Sequence, residues 1–288
     1  MGANLRTAEL GEKKPWALKG LPPFPAVSLQ LLSLLDNPEV PLKKIVDLLR
    51  LDPALSGELL RVANSALYGF VQRIDTVNHA VVILGAENVK RLALTVSLSK
   101  FAKGFLRHEN LRACWDHVMA SAILSEQLAV EVGINKDRAY TAGLLHDIGR
   151  LALLTSYPLE YGNLLAVARE EQFDQLECER ELFDIDHCAT GQWLAAHWNL
   201  PLDFSSAIAL HHHEGKVEGE LTPLVRGACR LADCLGFSAL QMPSARTVPE
   251  VLADLRLKNP ERTAADIEAS TDFIRHALST IDATRGPA

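Results

Sequence analysis

Hydrophobic residues recur every three to four positions along nearly the whole chain, and this spacing is the strongest constraint on its fold. Phe24, Val27 and Leu31, for example, fall on one helical stripe. Residues 76–84 are short and apolar and fit either a helix or a strand, but no segment of useful length alternates as a half-buried strand would. The pattern therefore predicts an all-α protein, a multi-helix bundle of about a dozen helices. The other predicted helices cover roughly residues 42–49, 53–67, 86–103, 111–132, 137–154, 221–235 and 263–282.

The composition is that of an ordinary globular protein. Hydrophobic residues make up 48% and charged residues 23%, which argues against disorder. No apolar run approaches the roughly 18–20 residues of a membrane span, and the start has no stretch of signal-peptide type. The five cysteines form no CxxC pair and are interpreted as free thiols that fill the core in a reducing compartment. We therefore expect a cytoplasmic protein with no membrane partner.

Charge and histidine are unevenly distributed along the chain. The net charge is −7, and residues 1–107 carry 14 Lys and Arg against 9 Asp and Glu. A pI near 5.8 argues against nucleic-acid binding, which requires neutralisation of phosphates. The basic first part could meet an acidic partner, or the two parts could simply have differently charged solvated faces. Nine of the ten histidines follow residue 107, so we expect any chemistry in the second part.

The sharpest local signal is the pair His146-Asp147 within the apolar stretch 142–150, Ala-Gly-Leu-Leu-His-Asp-Ile-Gly-Arg. Burying an ionised carboxylate costs several kcal/mol unless a cation or good donors compensate it. A metal ion is one such compensator, and imidazole with carboxylate is a suitable ligand pair. Alternatively, Asp147 could hold a histidine or cap a neighbouring helix.

Further histidines and acids lie on the successive helices of the second part. They are His117, His187, the run His211-His212-His213-Glu214 and Asp233. Each alone is more typical of a surface or satisfied core residue. Together they place one candidate ligand on each of five successive helices, and a bundle can aim such residues at one interior point.

The order of these residues resembles the HD superfamily of metal-dependent phosphohydrolases, especially its HD-GYP branch. The resemblance implies two metal ions bridged by Asp147. The second ion would be held by His187, His212 and His213. The pair His212-His213 is preferred over His211-His212 because the family pair is typically followed by Glu, as at Glu214. The first ion would be bound by His117, His146, Asp147 and Asp233.

The first part of the chain narrows the match, because its motifs resemble the HDOD family, the HD-related output domain. These motifs are Leu21-Pro22-Pro23-Phe24-Pro25, Leu51-Asp52-Pro53-Ala54-Leu55, residues 60–66 and residues 80–85. The resemblance covers roughly residues 20–240. It implies a bundle of HD-domain type with an amino-terminal helical subdomain over 20–107, an HD-like subdomain over 108–285 and a flexible tail over 1–19.

One segment departs from the hydrolase pattern, and one basic residue has two possible interpretations. Residues 215–220 contain no Gly-Tyr-Pro segment, which removes the sequence argument for cyclic di-GMP as substrate. Arg150 could reach a phosphate, as the basic residue after this motif does in the hydrolases, or it could be a solvated cation near a kink.

Three functions are compatible with the sequence and the resemblance. The first is a bacterial regulatory protein, a signal-transduction output module that binds a signalling protein partner without robust catalysis. The second is a metal-dependent phosphohydrolase with a dinuclear His/Asp site. The third is a metal-free scaffold, or a sensor of a nucleotide or phosphorylated ligand. One or two divalent transition-metal ions are expected in the first two cases, with iron favoured by the resemblance and manganese, nickel or zinc equally compatible with the ligands.

Overall fold

The computed structural model describes residues 14–34, 40–65, 68–70, 72–108 and 111–283. These residues form sixteen α-helices and two short 3-10 helices, η1 and η2, and contain no strand. The prediction of an all-α fold is confirmed. In chain order the elements are η1 (Trp16–Leu18), α1 (Ala26–Leu32), α2 (Leu42–Arg50), α3 (Pro53–Ala63), α4 (Val77–Leu84), α5 (Ala86–Phe101), η2 (Ala102–Arg107), α6 (Arg112–Val132), α7 (Lys136–Leu145), α8 (Ile148–Ser156), α9 (Pro158–Glu171), α10 (Gln175–Phe183), α11 (His187–His197), α12 (Leu202–Leu210), α13 (Leu221–Cys234), α14 (Val248–Leu252), α15 (Pro260–Ala269) and α16 (Thr271–Ala283).

Local capping explains where the amino-terminal helices begin and end. The side chain of Asp52 accepts a hydrogen bond from the backbone N–H of Leu55 at 2.8 Å and starts α3. The helix ends at Ala63, earlier than predicted, because the Asn64 side chain bonds both the N–H and the carbonyl of Ile74. The ambiguous segment before Gly85 is a helix, α4, capped by the hydroxyl of Thr76.

The start of the described chain is packed against the bundle. Residues 14–19, which the sequence places in a flexible tail, contain η1, and Leu18 is fully buried. Trp16 donates a hydrogen bond from Nε1 to Asp184 at 2.9 Å and its ring contacts Tyr157 edge-on. Residues 1–13 of the predicted tail lie outside the described residues.

The histidines and acids are positioned by a central layer of the fold, formed by α6, α7, α8, α11, α12 and α13. Helix α6 packs on α7 and α13, while α8 and α12 both pack on α11. A single hydrophobic core runs through both predicted subdomains, from Leu31 of α1 to Ile274 of α16. The division after residue 107 coincides with the end of η2 and stays a prediction.

The helix predicted over 137–154 is broken in the structure at His146-Asp147, where Asp147 has φ −101° and ψ 21°. Two glycines allow the flanking helices to approach their neighbours closely. A Cβ at Gly143 would lie 2.7 Å from the carbonyl oxygen of Ser121 on α6, and one at Gly149 would lie 2.0 Å from that of His187. The break directs the His146 and Asp147 side chains toward the centre of the bundle.

Asp203 lies in the first turn of α12 and pairs with Arg138, whose terminal nitrogen is 2.7 Å from a carboxylate oxygen. One other sequence expectation is corrected. The carboxyl-terminal helix predicted over 263–282 is divided at Ser270 into α15 and α16. In the described part of the chain, no helix is long and apolar enough to cross a bilayer.

We expect Gly149→Ala to lower the free energy of unfolding by about 1–3 kcal/mol, because the added methyl group would overlap the backbone of α11. The matched control is Gly57→Ala on the exposed side of α3, where a Cβ meets nothing within 4 Å. That variant should be about 0.5–1 kcal/mol more stable than wild type. Urea denaturation followed by circular dichroism measures the free energy of unfolding of both variants. An equal change in the same direction in the two variants would contradict the close approach of α8 and α11.

Candidate metal site

The predicted site residues come from elements that meet at one end of the central layer. His117 lies on α6, His146 and Asp147 lie at the break between α7 and α8, and His187 opens α11. His211 and His212 follow the end of α12. The structure divides most of them into two adjoining groups that could hold a metal ion.

The first group, the Asp147 cluster, consists of Asp147, His187, His211 and His212. One potential ligand atom from each lies within 4.8 Å of the others. Asp147 Oδ1 is 3.4 Å from His187 Nε2 and 3.3 Å from His211 Nε2. The carboxylate therefore lies between two imidazoles, with His212 at the exposed edge.

The second group, the His117 cluster, consists of His117, His146 and Cys229. His117 Nε2 is 3.4 Å from Cys229 Sγ, and the His117 and His146 rings lie 5.4 Å apart. His146 Nε2 is 3.8 Å from Asp147 Oδ2, so this group adjoins the Asp147 cluster. Burial raises the pKa of the Cys229 thiol well above its usual value, so this residue is a neutral thiol when no metal is bound.

His213, predicted as a ligand, is in neither group, and His211 takes the place expected for it. His211 follows Ile208 by three residues and therefore continues the buried face of α12. Its Nδ1 lies 2.8 Å from the Ile208 carbonyl oxygen. His213 comes two residues later, beyond the helix end, and is exposed. Glu214 carries no information about which histidines lie on the buried face, and the assignment of His213 as a ligand stays a prediction.

Asp233, also predicted as a ligand, approaches the opposite side of the His117 ring. Its Oδ1 is 3.4 Å from His117 Nδ1, which also lies 2.9 Å from the carbonyl oxygen of Phe237. Cys229, one turn earlier on α13, faces Nε2 instead. The sequence analysis predicts only a core thiol at Cys229. Its spacing of four residues from Asp233 nevertheless places both side chains on one face of the helix.

Arg150 is buried in the site and is not a solvated cation. Its guanidinium is 2% exposed, with Nε 2.7 Å from Asp147 Oδ2 and one terminal nitrogen donating to Gln175 at 3.0 Å. Burial alone would raise the pKa of Asp147, but Arg150 and His146 hold it well below its usual value. Asp147 is therefore ionised and already has one positively charged partner.

Glu179 is a site residue that the sequence analysis missed. It is fully buried on α10, and its carboxylate accepts hydrogen bonds from the His187 backbone N–H at 2.6 Å and from the ring Nδ1 at 2.7 Å. Tyr161 donates a further hydrogen bond to it. Burial alone would lower the pKa of His187, but Glu179 raises it well above its usual value. Glu179 was hidden among the many acids of residues 170–186, and no local pattern distinguishes it.

The ring orientations fit a metal ion. His146, His187 and His211 each have Nδ1 within 2.9 Å of an acceptor, which leaves Nε2 directed into the site. A hydrogen bond at one ring nitrogen is the usual support of a metal-bound histidine. Burial lowers the pKa of His146 well below its usual value, which favours the neutral ring that metals bind, and its Nε2 has no hydrogen-bond partner.

We expect Arg150→Met to destabilise chelator-treated protein by about 3–5 kcal/mol, because it leaves the Asp147 carboxylate buried without its cation. Adding Asp147→Asn to this variant should restore part of the loss, since the unpaired charge is removed. The control is Arg262→Met, which breaks an exposed ion pair with Asp266 and should cost less than about 1 kcal/mol. Equal unfolding midpoints for the Arg150 and Arg262 variants would show that Arg150 does not compensate Asp147.

Known proteins resemble this chain in sequence and in fold. An uncharacterized protein of Treponema pallidum (strain Nichols) is 24% identical over 273 residues, which are 92% of this chain and 52% of the relative. The chain thus spans about half the length of that relative.

Three solved structures have the same fold. An HDOD domain protein of unknown function from Geobacter sulfurreducens matches with a TM-score of 0.75 and 23% identity over 91% of this chain and 93% of its own. A Shewanella amazonensis SB2B protein, provisionally named a phosphohydrolase, matches with a TM-score of 0.73 and 22% identity over 93% and 98%. A Marinobacter aquaeolei VT8 protein, provisionally named a signal transduction protein, matches with 0.75 and 22% over 95% and 63%.

The family is established by a match that covers about two thirds of the chain. The model of the HDOD domain matches residues 21–214, a range that contains both the amino-terminal motifs and the Asp147 cluster. This chain belongs to the HDOD family.

Proposed function

We propose that this protein is a signalling output module that acts by binding a protein partner and has no robust catalytic turnover. Its histidine and acid site would hold one or two divalent transition-metal ions, with a structural role. The observation that carries the proposal is the buried ion pair between Asp147 and Arg150.

The ion pair is unfavourable for hydrolysis. A two-metal hydrolase needs a bridging carboxylate that serves the metals, and it needs open positions for water and substrate. Here Asp147 has already paired with a guanidinium, and both side chains are at most 2% exposed. His146, His187 and His211 are equally buried, and only His212 of the Asp147 cluster reaches the surface. A substrate phosphate would have little access to the predicted chemistry.

Protein binding is supported by the amino-terminal helices. Leu51 follows α2 and is 69% exposed, and Val82 on α4 is 75% exposed. Helices α2 and α4 pack on each other, and Leu51 lines a surface hollow together with Lys43 and Lys44. Lys43 and Lys44 on α2 are also exposed, which favours a partner with acidic groups beside an apolar surface. The Marinobacter neighbour's name agrees with a signalling role.

A metal-dependent phosphohydrolase is the second candidate, favoured by the two adjoining ligand groups. When bound, two metal ions would lower the pKa of a water molecule and stabilise charge that develops on a phosphate. His187 and His211 would hold one ion with Asp147, and Glu179 would keep the His187 ring oriented. Arg150 would have to release Asp147 and turn toward the phosphate for this function.

Metal content tests the site assignment. We expect His212→Ala to reduce the metal bound after loading with Fe²⁺ or Mn²⁺, because the variant loses a member of the Asp147 cluster. The adjacent His213→Ala is the matched control and should retain wild-type metal content, since His213 lies in neither group. Asp147→Ala should remove most of the metal. Elemental analysis measures all three, and equal losses at positions 212 and 213 would contradict the assignment.

Turnover tests the function. We expect metal-loaded protein to show no hydrolysis of a panel of phosphomonoesters, phosphodiesters and nucleotides above the Asp147→Ala background. Removal of metal by a chelator should nevertheless lower the melting temperature, because bound metal stabilises the folded state. Hydrolysis that disappears in Asp147→Ala protein would overturn the proposal in favour of the phosphohydrolase.

A further inference from the structure

A cavity lies away from the histidines, where the amino-terminal helices meet the central layer and the last helix. Its volume is about 290 Å³, and it is lined from α3, α5, α6, α7 and α16, together with Tyr68. Such a volume is near the lower end of the range for small-molecule sites. An occupant would touch both predicted subdomains at once.

The inner wall of the cavity is apolar and its opening is aromatic. Leu92, Met119 and Ile123 are each at most 8% exposed and form part of this wall. Phe273 of α16 lines the cavity but is 52% exposed, so its ring lies partly in water when the cavity holds no ligand. A ligand with an apolar face would cover this ring and bury the wall.

The one arginine of the described lining is already matched by negative charge. Arg91 is 2.5 Å from a carboxylate oxygen of Glu126 and 3.4 Å from one of Asp137. Its guanidinium also lies over the Tyr140 ring, 4.8 Å from the centroid. With two carboxylates around one guanidinium, the polar side has no spare positive charge for an anionic ligand.

Hydroxyl groups supply the remaining polar contacts. The Tyr140 hydroxyl is 3.0 Å from the hydroxyl of Thr95. Burial raises the pKa of Tyr68 to about 12, so its hydroxyl is neutral and can donate or accept a hydrogen bond. The cavity thus combines an apolar wall with neutral hydrogen-bonding groups.

We infer that this cavity binds an uncharged aromatic small molecule, with its ring against Phe273 and Met119 and a polar group near Tyr68 and Tyr140. The carboxylates of Glu126 and Asp137, which already neutralise Arg91, exclude nucleotides and other phosphorylated ligands from this cavity. The inference rests on the proposed function only in treating the ligand as the input signal of the module.

Two fluorescent probes that differ in one charged group test the inference. N-phenyl-1-naphthylamine is uncharged, and 1-anilinonaphthalene-8-sulfonate has the same rings with a sulfonate. With the full chain, we expect saturable enhancement of the fluorescence of the uncharged probe at one site per chain. The sulfonate should bind at least about tenfold more weakly, because its charge would be buried next to Glu126 without a free cation.

Two phenylalanines of similar exposure provide the matched variants. Phe273→Ala should weaken binding of the uncharged probe about tenfold, because the probe loses an aromatic contact. Phe173→Ala, at a position 55% exposed and outside the cavity lining, should leave binding unchanged. Circular dichroism confirms that both variants fold.

Non-saturable binding, equal loss in both variants, or a sulfonate that binds as tightly as the uncharged probe would each overturn the inference. None of these results affects the turnover measurement, so the proposed function stands or falls separately. Conversely, phosphoester hydrolysis at the histidine site would leave the probe-binding result unchanged.

Discussion

The burial of Asp147 determines much of the arrangement around it. An ionised carboxylate in the middle of an apolar helical core is unstable unless cations and donors surround it. Arg150 provides the cation from the next helical turn, while His187 and His211 approach the other oxygen. Glu179 then balances the positive charge of His187 and Arg150. The site is therefore a compact network of alternating charge, drawn from α8, α10, α11 and the end of α12.

This network depends on close packing between helix backbones. Gly149 brings the start of α8 against the start of α11, and Gly143 brings α7 against α6. Any side chain at either position would separate the elements that hold His187 and His117 from those that hold Asp147 and His146. The motif around His146-Asp147 thus has two roles, because its histidine and acid form the site and its glycines allow the neighbouring helices to reach it.

The same chain can support two different outcomes at this centre. Without metal, Asp147 has Arg150 as its ion-pair partner and has His187 and His211 beside it, but both of its carboxylate oxygens lack a hydrogen-bond partner among the described residues. With metal, the Nε2 atoms already point inward, because each ring is fixed through Nδ1. The cavity beside Phe273 is separate from this centre and is lined by the amino-terminal helices, the central helices and the last helix.

The sequence by itself determined the all-α class and the bounds of several helices, and it predicted that His117, His146, Asp147 and His187 converge. Helical periodicity and capping are local properties, so the helix start at Asp52 and the helix end at Gly133 could be predicted from neighbouring residues alone. Only the tertiary structure decided that His211 lies with His212 beside Asp147, that Cys229 and Asp233 lie on opposite sides of the His117 ring, and that Glu179 supports His187. Those choices depend on the rotation of each helix about its axis and on the side chains that face it from distant parts of the chain. The burial of Arg150 was decided in the same way, because no local pattern distinguishes a guanidinium in water from one packed against a carboxylate.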